Sequence, residues 1–161
     1  MSNPGNTYNP VEQGQEITVG EGLYYFAQDF YIYQASFGNL AAGASTTVNI
    51  QVQSDSDFEW LESTAYGNLN GGATPFPDTI LLPINVNIVD GGSSRALFSA
   101  PIPLSTFAGN GKQPFILPIS RIFKAYASIQ LTAANFAAAQ YDNLSLNLIG
   151  RKLFRKNATP G

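Results

Sequence analysis

The stretch Thr47-Val48-Asn49-Ile50-Gln51-Val52-Gln53 decides the fold. Val48, Ile50 and Val52 alternate with Thr47, Asn49, Gln51 and Gln53. Successive side chains of an extended chain point to opposite faces, so a period of two with polar partners predicts a strand with one face on a core and one in water. The same period recurs on the C-terminal side. Val86 and Ile88 alternate with Asn85, Asn87 and Val89; Ala127, Ile129 and Leu131 with Tyr126, Ser128, Gln130 and Thr132; Leu144, Leu146 and Leu148 with Asn143, Ser145, Asn147 and Ile149. Four such alternations predict an all-β protein.

Less regular runs fill the intervals. Residues 23–34 are rich in aromatics, which favour a pleated surface. Residues 58–63, 95–99 and 115–117 read as short strands, and 151–154 extends the last strand past Gly150. Asp90-Gly91-Gly92-Ser93 reads as a hairpin, and Gly109-Asn110-Gly111 and the small-residue run Leu40 to Ala44 as turns. Residues 65–78, holding Asn70-Gly71-Gly72, Pro75 and Pro77, read as a long irregular loop. The alanine-rich run 132–140 fits one helical turn or a loop between strands. Pro83, Pro101, Pro103, Pro114 and Pro118 flank strands, which places them on edges or at switches between sheets. Eight or nine strands with glycine and proline turns between them predict an antiparallel two-sheet β-sandwich, jelly-roll-like or Ig-like. It spans residues 15–155, behind an extended N-terminal arm (1–14) and ahead of a C-terminal tail (156–161).

The chain of 161 residues contains neither histidine nor cysteine. Those absences remove imidazole acid–base and nucleophile-activating chemistry, thiolates, disulfides and the common zinc sites. The reading is that of a protein that is not an enzyme and carries no cofactor or metal. Charged residues make up 12 %, about half the usual share, so Asn, Ser, Thr, Gln and Gly solvate the surface. That surface suits a protein that sits against other proteins.

Three constellations could carry chemistry. Asp55, Asp57, Glu59 and Glu62 form an acidic cluster of oxygen ligands that calcium accepts, but it lacks the EF-hand spacing. The plainer expectation is a solvated strand face, with Asp57 and Glu59 opposite Phe58 and Trp60. No motif singles out the carboxylate pair of a glycosidase. Tyr24, Tyr25, Tyr31, Tyr33, Tyr66 and Tyr126 offer apolar bodies with polar tips, which suits sugars or protein partners. Hence the alternative function, a carbohydrate-binding or adhesion module. Phosphate-cradling motifs are absent, and the sequons at Asn143 and Asn157 carry no weight without an export signal.

The ends and the charge layout point to partners. The opening residues lack a basic and an apolar signal region, and no stretch reaches the roughly 18 apolar residues of a membrane span. Synthesis in the cytoplasm is the expectation. Asn3, Pro4, Tyr8, Pro10 and Val11 of the arm are candidate contact residues. All eight basic residues lie at Arg95 or later, while ten of the eleven acids lie at or before Asp90. Arg151, Lys152, Arg155 and Lys156 crowd the C-terminal segment and are the second candidate contact. The layout predicts head-to-tail packing of copies or docking on an acidic protein, and nucleic acid is a poor fit because no aromatics interleave the cations.

Two stretches carry a resemblance. One runs Gly38-Asn39-Leu40-Ala41-Ala42-Gly43-Ala44-Ser45-Thr46-Thr47-Val48-Asn49-Ile50-Gln51-Val52, followed by Asp55-Ser56-Asp57-Phe58-Glu59-Trp60. The other runs from Val86 through Asp90-Gly91-Gly92-Ser93-Ser94-Arg95-Ala96-Leu97-Phe98-Ser99 and Leu117-Pro118-Ile119-Ser120-Arg121-Ile122-Phe123 to Leu146-Asn147-Leu148-Ile149-Gly150-Arg151-Lys152-Leu153-Phe154. The arrangement, over most of residues 20–155, resembles β-sandwich virion structural proteins of tailed bacteriophages, of the minor capsid or decoration type. The resemblance implies a non-enzymatic virion component that attaches to major capsid or other virion proteins. It also implies many symmetric copies, and closed symmetry puts a homo-oligomeric trimer first and a pentamer second.

Overall fold

The computed structural model describes residues 16–19, 22–69 and 83–155, with side chains for 29–69 and 83–154. The chain runs through β1 (Glu16–Val19), β2 (Gly22–Leu40), β3 (Ser45–Gln51), β4 (Asp57–Leu69), β5 (Ile84–Asp90), β6 (Arg95–Ala96), β7 (Ile102–Pro103), a 3₁₀ turn (Leu104–Thr106), β8 (Phe115–Phe123), β9 (Ser128–Asn135) and β10 (Tyr141–Arg155). The first sheet has the order β1-β2-β10-β4-β8; the second has β3-β9-β5-β6, with β7 also on β5. Every strand pair is antiparallel. The expected two-sheet sandwich is therefore present, with eight strands of four or more residues and two of two residues among those described. The arm and the tail lie outside the described residues.

The alternations place the core. Ile84, Val86 and Ile88 of β5, Ile129, Leu131 and Ala133 of β9, and Leu144, Leu146 and Leu148 of β10 are all buried between the sheets. Aromatics close the gap. Tyr33 meets Phe58 edge-on at 4.8 Å, and Trp60 stacks on Phe123 at 6.3 Å, separations within the range of favourable ring pairs. Gly150 lets β10 pass close to β4, since a Cβ there would lie 1.8 Å from the Glu59 carbonyl oxygen. Gly43 turns the chain from β2 into β3 at φ +71°, where a side chain is strained. The turn at Asp90 forms as expected, with its carboxylate accepting from the Gly92 N–H at 3.0 Å and the Ser93 hydroxyl at 2.8 Å.

Three local readings need correction, and a fourth resolves in favour of one of its two alternatives. Strand β4 continues to Leu69 through a segment expected as loop, because β10 pairs along it and Gly109 exchanges backbone bonds with Ser63 and Ala65. Strand β8 runs from Phe115 to Phe123, well past Leu117. Residues 95–99 shrink to the two-residue β6. The run 132–140 is the end of β9 and then a loop, since Asn135 captures that loop with its amide group. Its Nδ2 reaches the carbonyls of Leu40, Ala41 and Ala139, and its Oδ1 accepts the Ala137 N–H. In each case a tertiary partner supplies the backbone hydrogen bonds that local propensity left open.

Candidate functional site

The charge partition along the chain closes largely within the fold. Antiparallel pairing lays β4, with its acids, between β8 and β10, with their bases. Glu59 receives Arg151 Nε at 2.6 Å and the Ser120 hydroxyl at 2.8 Å. Asp57 receives the Ala125 N–H at 2.8 Å and Lys124 Nζ at 3.3 Å. Asp55 holds Lys152 Nζ at 2.9 Å, and Lys152 also bonds Gln53 Oε1 and lies over the Tyr31 ring. Asp90 of the second sheet holds Arg121 Nη2 of the first at 2.7 Å, a latch between the two layers. Burial opposes the charge on Asp90, but Arg121, Ser93 and the Gly92 N–H together bring its carboxyl below the usual aspartate value. The Lys152 hydrogen bond does the same for Asp55. Burial raises the hydroxyls of Tyr33 and Tyr141.

This corrects two expectations. The acidic cluster is not a solvated strand face, since Asp57 and Glu59 are buried and each meets a cation and a neutral donor. The cationic patch expected at the chain end loses Lys152, whose side chain is 11 % exposed and engaged, and Arg151 is held by Glu59. Arg155 lies in β10 with its side chain outside the described residues, and Lys156 and the arm residues Asn3, Pro4, Tyr8, Pro10 and Val11 fall outside the described residues altogether. The side chains of Tyr24 and Tyr25 lie outside the described residues, and the four described tyrosines of the set do not gather on one face. Tyr33 is in the core, Tyr31 is half-buried beside it, Tyr66 is exposed on β4 and Tyr126 is exposed in the turn between β8 and β9.

The outer face of the first sheet carries apolar residues in register. One row across it reads Ile32, Ile149, Glu62, Ile116; the next reads Phe30, Arg151, Glu59, Ile122. Phe30 is 70 % exposed and Ile116 67 %. The outer face of the second sheet differs throughout. Its rows read Ser45, Ala134, Asn85; then Thr47, Thr132, Asn87; then Asn49, Gln130, Val89. Thr47 and Thr132 share a hydroxyl hydrogen bond of 2.9 Å across the strands. Sequence reasoning missed the first face because its residues come from four strands. The one available signal was Phe30 and Ile32 at a spacing of two, masked by the tyrosines between and around them.

A cleft of about 450 Å³ opens where the edge strand β8 faces the segments that follow β6 and β7. Trp60, Phe98, Phe107, Phe115 and Leu117 line it, with Arg121 as its charged member. The wall is a bulge. Between the pairs Trp60–Arg121 and Glu62–Ile116, β8 places Leu117, Pro118, Ile119 and Ser120 opposite Leu61 alone. The extra residues leave Ile119 84 % exposed at the rim. The size and aromatic lining are those of binding clefts generally, and its described lining holds no carboxylate.

No protein-family model matches the chain, and no curated protein matches it. Among solved structures it is similar to the VP2 subviral particle of infectious bursal disease virus, at a TM-score of 0.36 and 11 % identity over 86 % of this chain. It is similar in the same degree to the structure of the Gx strain of that virus, at a TM-score of 0.36 and 12 % identity over 86 %. The chain spans 38 % and 37 % of the lengths of those two chains.

Proposed function

We propose that the chain is a structural component of a virus particle, working by surface contact rather than by catalysis. The observation that carries the reading is the outer face of the first sheet, where Phe30, Ile32 and Ile116 stand exposed in rows across paired strands. Exposed apolar groups gathered on one face mark contact surfaces on soluble proteins, and burying them contributes roughly 25 cal/mol per Å². The resemblance of residues 20–155 to tailed-bacteriophage minor capsid or decoration proteins supplies the finer reading. In it the protein attaches to the capsid as a symmetric oligomer, a trimer first, and resides in the virion. The arm residues Asn3 to Val11, with Arg155 and Lys156, are proposed to add contacts; Arg151 contributes by holding Glu59 within the docking face.

The test is cosedimentation with particles from lysates of its source, with stoichiometry read from gels. Wild type is expected at a fixed ratio to the shell protein. Phe30→Asp with Ile32→Asp should weaken attachment at least about tenfold, equivalent to 1.4 kcal/mol, at unchanged melting temperature. The control pair Thr47→Asp and Gln130→Asp, on the other sheet, should attach normally. No association of the wild type, or equal loss in both pairs, would overturn the reading. Glycan binding lost on Tyr66→Ala or Tyr126→Ala would replace it with the carbohydrate-binding alternative.

A further inference from the structure

We infer that the free edge of β3 pairs with β3 of a second copy of this chain across a two-fold axis, so that the second sheet runs on from one molecule into the next. The contact goes beyond the particle reading and forms with or without a particle.

The edges of the two sheets are not alike. An edge strand offers unpaired backbone groups to any other strand, and proteins blunt such edges with short strands, prolines, bulges or charges. Three of the four edges of this sandwich are blunted. β1 has only four residues. β8 is broken by its bulge and by Pro118, and it carries Arg121. β6 and β7 have two residues each, with Arg95 on one and Pro103 on the other. β3 has none of these devices. Its seven residues, Ser45–Gln51, pair with β9 in unbroken register, and neither a charge nor a proline stands between Phe30 and Ser54.

The register fixes which backbone groups are on offer. The Ala44 carbonyl accepts from the Asn135 N–H at 2.9 Å, and the Val52 N–H donates to the Ala127 carbonyl at 2.9 Å. The even-numbered residues of β3 therefore bond toward β9, and in an antiparallel ladder the alternate residues turn both backbone groups the other way. The N–H and C=O of Ser45, Thr47, Asn49 and Gln51 face the free edge, and no described strand lies beyond it. All four residues are exposed.

A second β3 is the occupant that meets all four at once. Antiparallel pairing about Val48 sets Ser45 against the partner's Gln51 and Thr47 against the partner's Asn49, and each such pair exchanges two backbone hydrogen bonds. A shift of one residue would set these groups against residues that bond toward β9, and a shift of two would leave one end without a strand partner. Val48 then lies on the axis, opposite itself, in an isologous contact. Its burial suits that place. The core-facing residues of β5 and β9 are buried, whereas Val48 is only half-buried, open on the side away from β9. Two valines meeting there cover each other. No charge opposes the approach, since β2 from Phe30 onward and β3 carry none. The pairing leaves the outer faces of both sheets uncovered, so the apolar face stays open to a shell protein.

The chain has no cysteine, so introduced ones report the contact and its register. Residues opposite each other in a pair without hydrogen bonds lie about 4.5 Å apart at Cα, within disulfide range. Val48→Cys in the full chain, oxidised with diamide at near-millimolar concentration, should give a disulfide-linked dimer as the main product. Thr47→Cys should give little, because its counterpart sits two residues along the partner strand. An equimolar mixture of Thr47→Cys and Asn49→Cys should cross-link. In sedimentation velocity, wild type should pass from monomer to dimer between micromolar and near-millimolar concentration. Asn49→Pro removes an N–H at the free edge and none that bonds β9, and it should raise the dimer dissociation constant about tenfold or more. Thr47→Lys with Asn49→Lys sets like charges opposite one another and should do the same. Equal cross-linking at positions 47 and 48, a wild type that stays monomeric to near-millimolar concentration, or dimers untouched by both edge variants would overturn the proposal. A monomeric wild type that loses particle attachment in the double lysine variant would overturn it in favour of a strand from a shell protein.

Discussion

The two outer faces of the sandwich are built from strands of the same protein with the same low charge, yet they differ in kind. The second sheet turns out hydroxyls and amides, Ser45, Thr47, Asn49, Gln130 and Thr132, in register and with no charge in these rows. The first turns out Phe30, Ile32, Ile116 and Ile122 around the Arg151–Glu59 pair. An amide or hydroxyl face bonds water well, and covering it exchanges those bonds for others at little net gain. An apolar face gains on being covered in proportion to its area. Low charge is thus a property of the whole surface, while readiness to dock depends on which residues the pleat turns outward.

Three measurements probe this contrast. The largest effect is expected from Arg151→Ala, which strips the cation from a carboxylate whose side chain is 5 % exposed. Breaking a buried pair from one side costs about 3–5 kcal/mol; with Ser120 still donating to Glu59, about 3 kcal/mol is the expected loss in urea unfolding. Arg151→Met with Glu59→Leu should recover most of it, because two apolar residues leave no buried charge. A loss under 1 kcal/mol would mean that water reaches Glu59 and that the first face is closer to the second than its burial indicates.

Acid titration comes next and acts on the latch between the sheets. The Asp90 and Asp55 carboxyls are held below the usual aspartate value in the fold. Their stabilisation is therefore complete above the unfolded value of about 3.9 and is lost as pH falls through the lower folded values. Thermal melts should show a drop in stability below about pH 4, shallower in Asp90→Asn at the cost of lower stability at neutral pH. An Asp90→Asn curve parallel to wild type would remove Asp90 from the acid response.

The smallest effect is expected on the second sheet. Thr47→Val deletes one hydroxyl of the cross-strand pair with Thr132 and keeps the β-branched shape. Cross-strand pairs contribute roughly 0.2–1 kcal/mol, so stability should change by no more than about 1 kcal/mol in urea unfolding. A larger loss would show that this face is an ordered network rather than a solvated surface.

How much of this was legible in the chain follows from the range of the forces involved. The strand at Val48, Ile50 and Val52, its counterparts on β5, β9 and β10, and the turn at Asp90 are local patterns. Each can be read from a window of a few residues because the pleat imposes a period of two. The continuation of β4 to Leu69 was not legible, because its residues look like loop until β10 and Gly109 supply their hydrogen bonds. Nor was the bulge of β8, whose Pro118 signalled an edge but not four residues opposite one.

The charge layout shows the division most plainly. Acids early and bases late are visible in the sequence, and they suggested contact between copies. Antiparallel pairing of β4 with β8 and β10 instead brings Glu59 to Arg151 within one chain, and the turns flanking these strands bring Asp57 to Lys124 and Asp55 to Lys152. By itself the sequence determined the all-β class, most strand positions, the tight turns and the absence of imidazole and thiol chemistry, since composition and period are local properties. The tertiary structure alone decided strand order, and with it which charges are closed, which apolar residues share a face and where the sheets part to open a cleft. Those depend on residues tens of positions apart meeting across a sheet, and no local window contains that information.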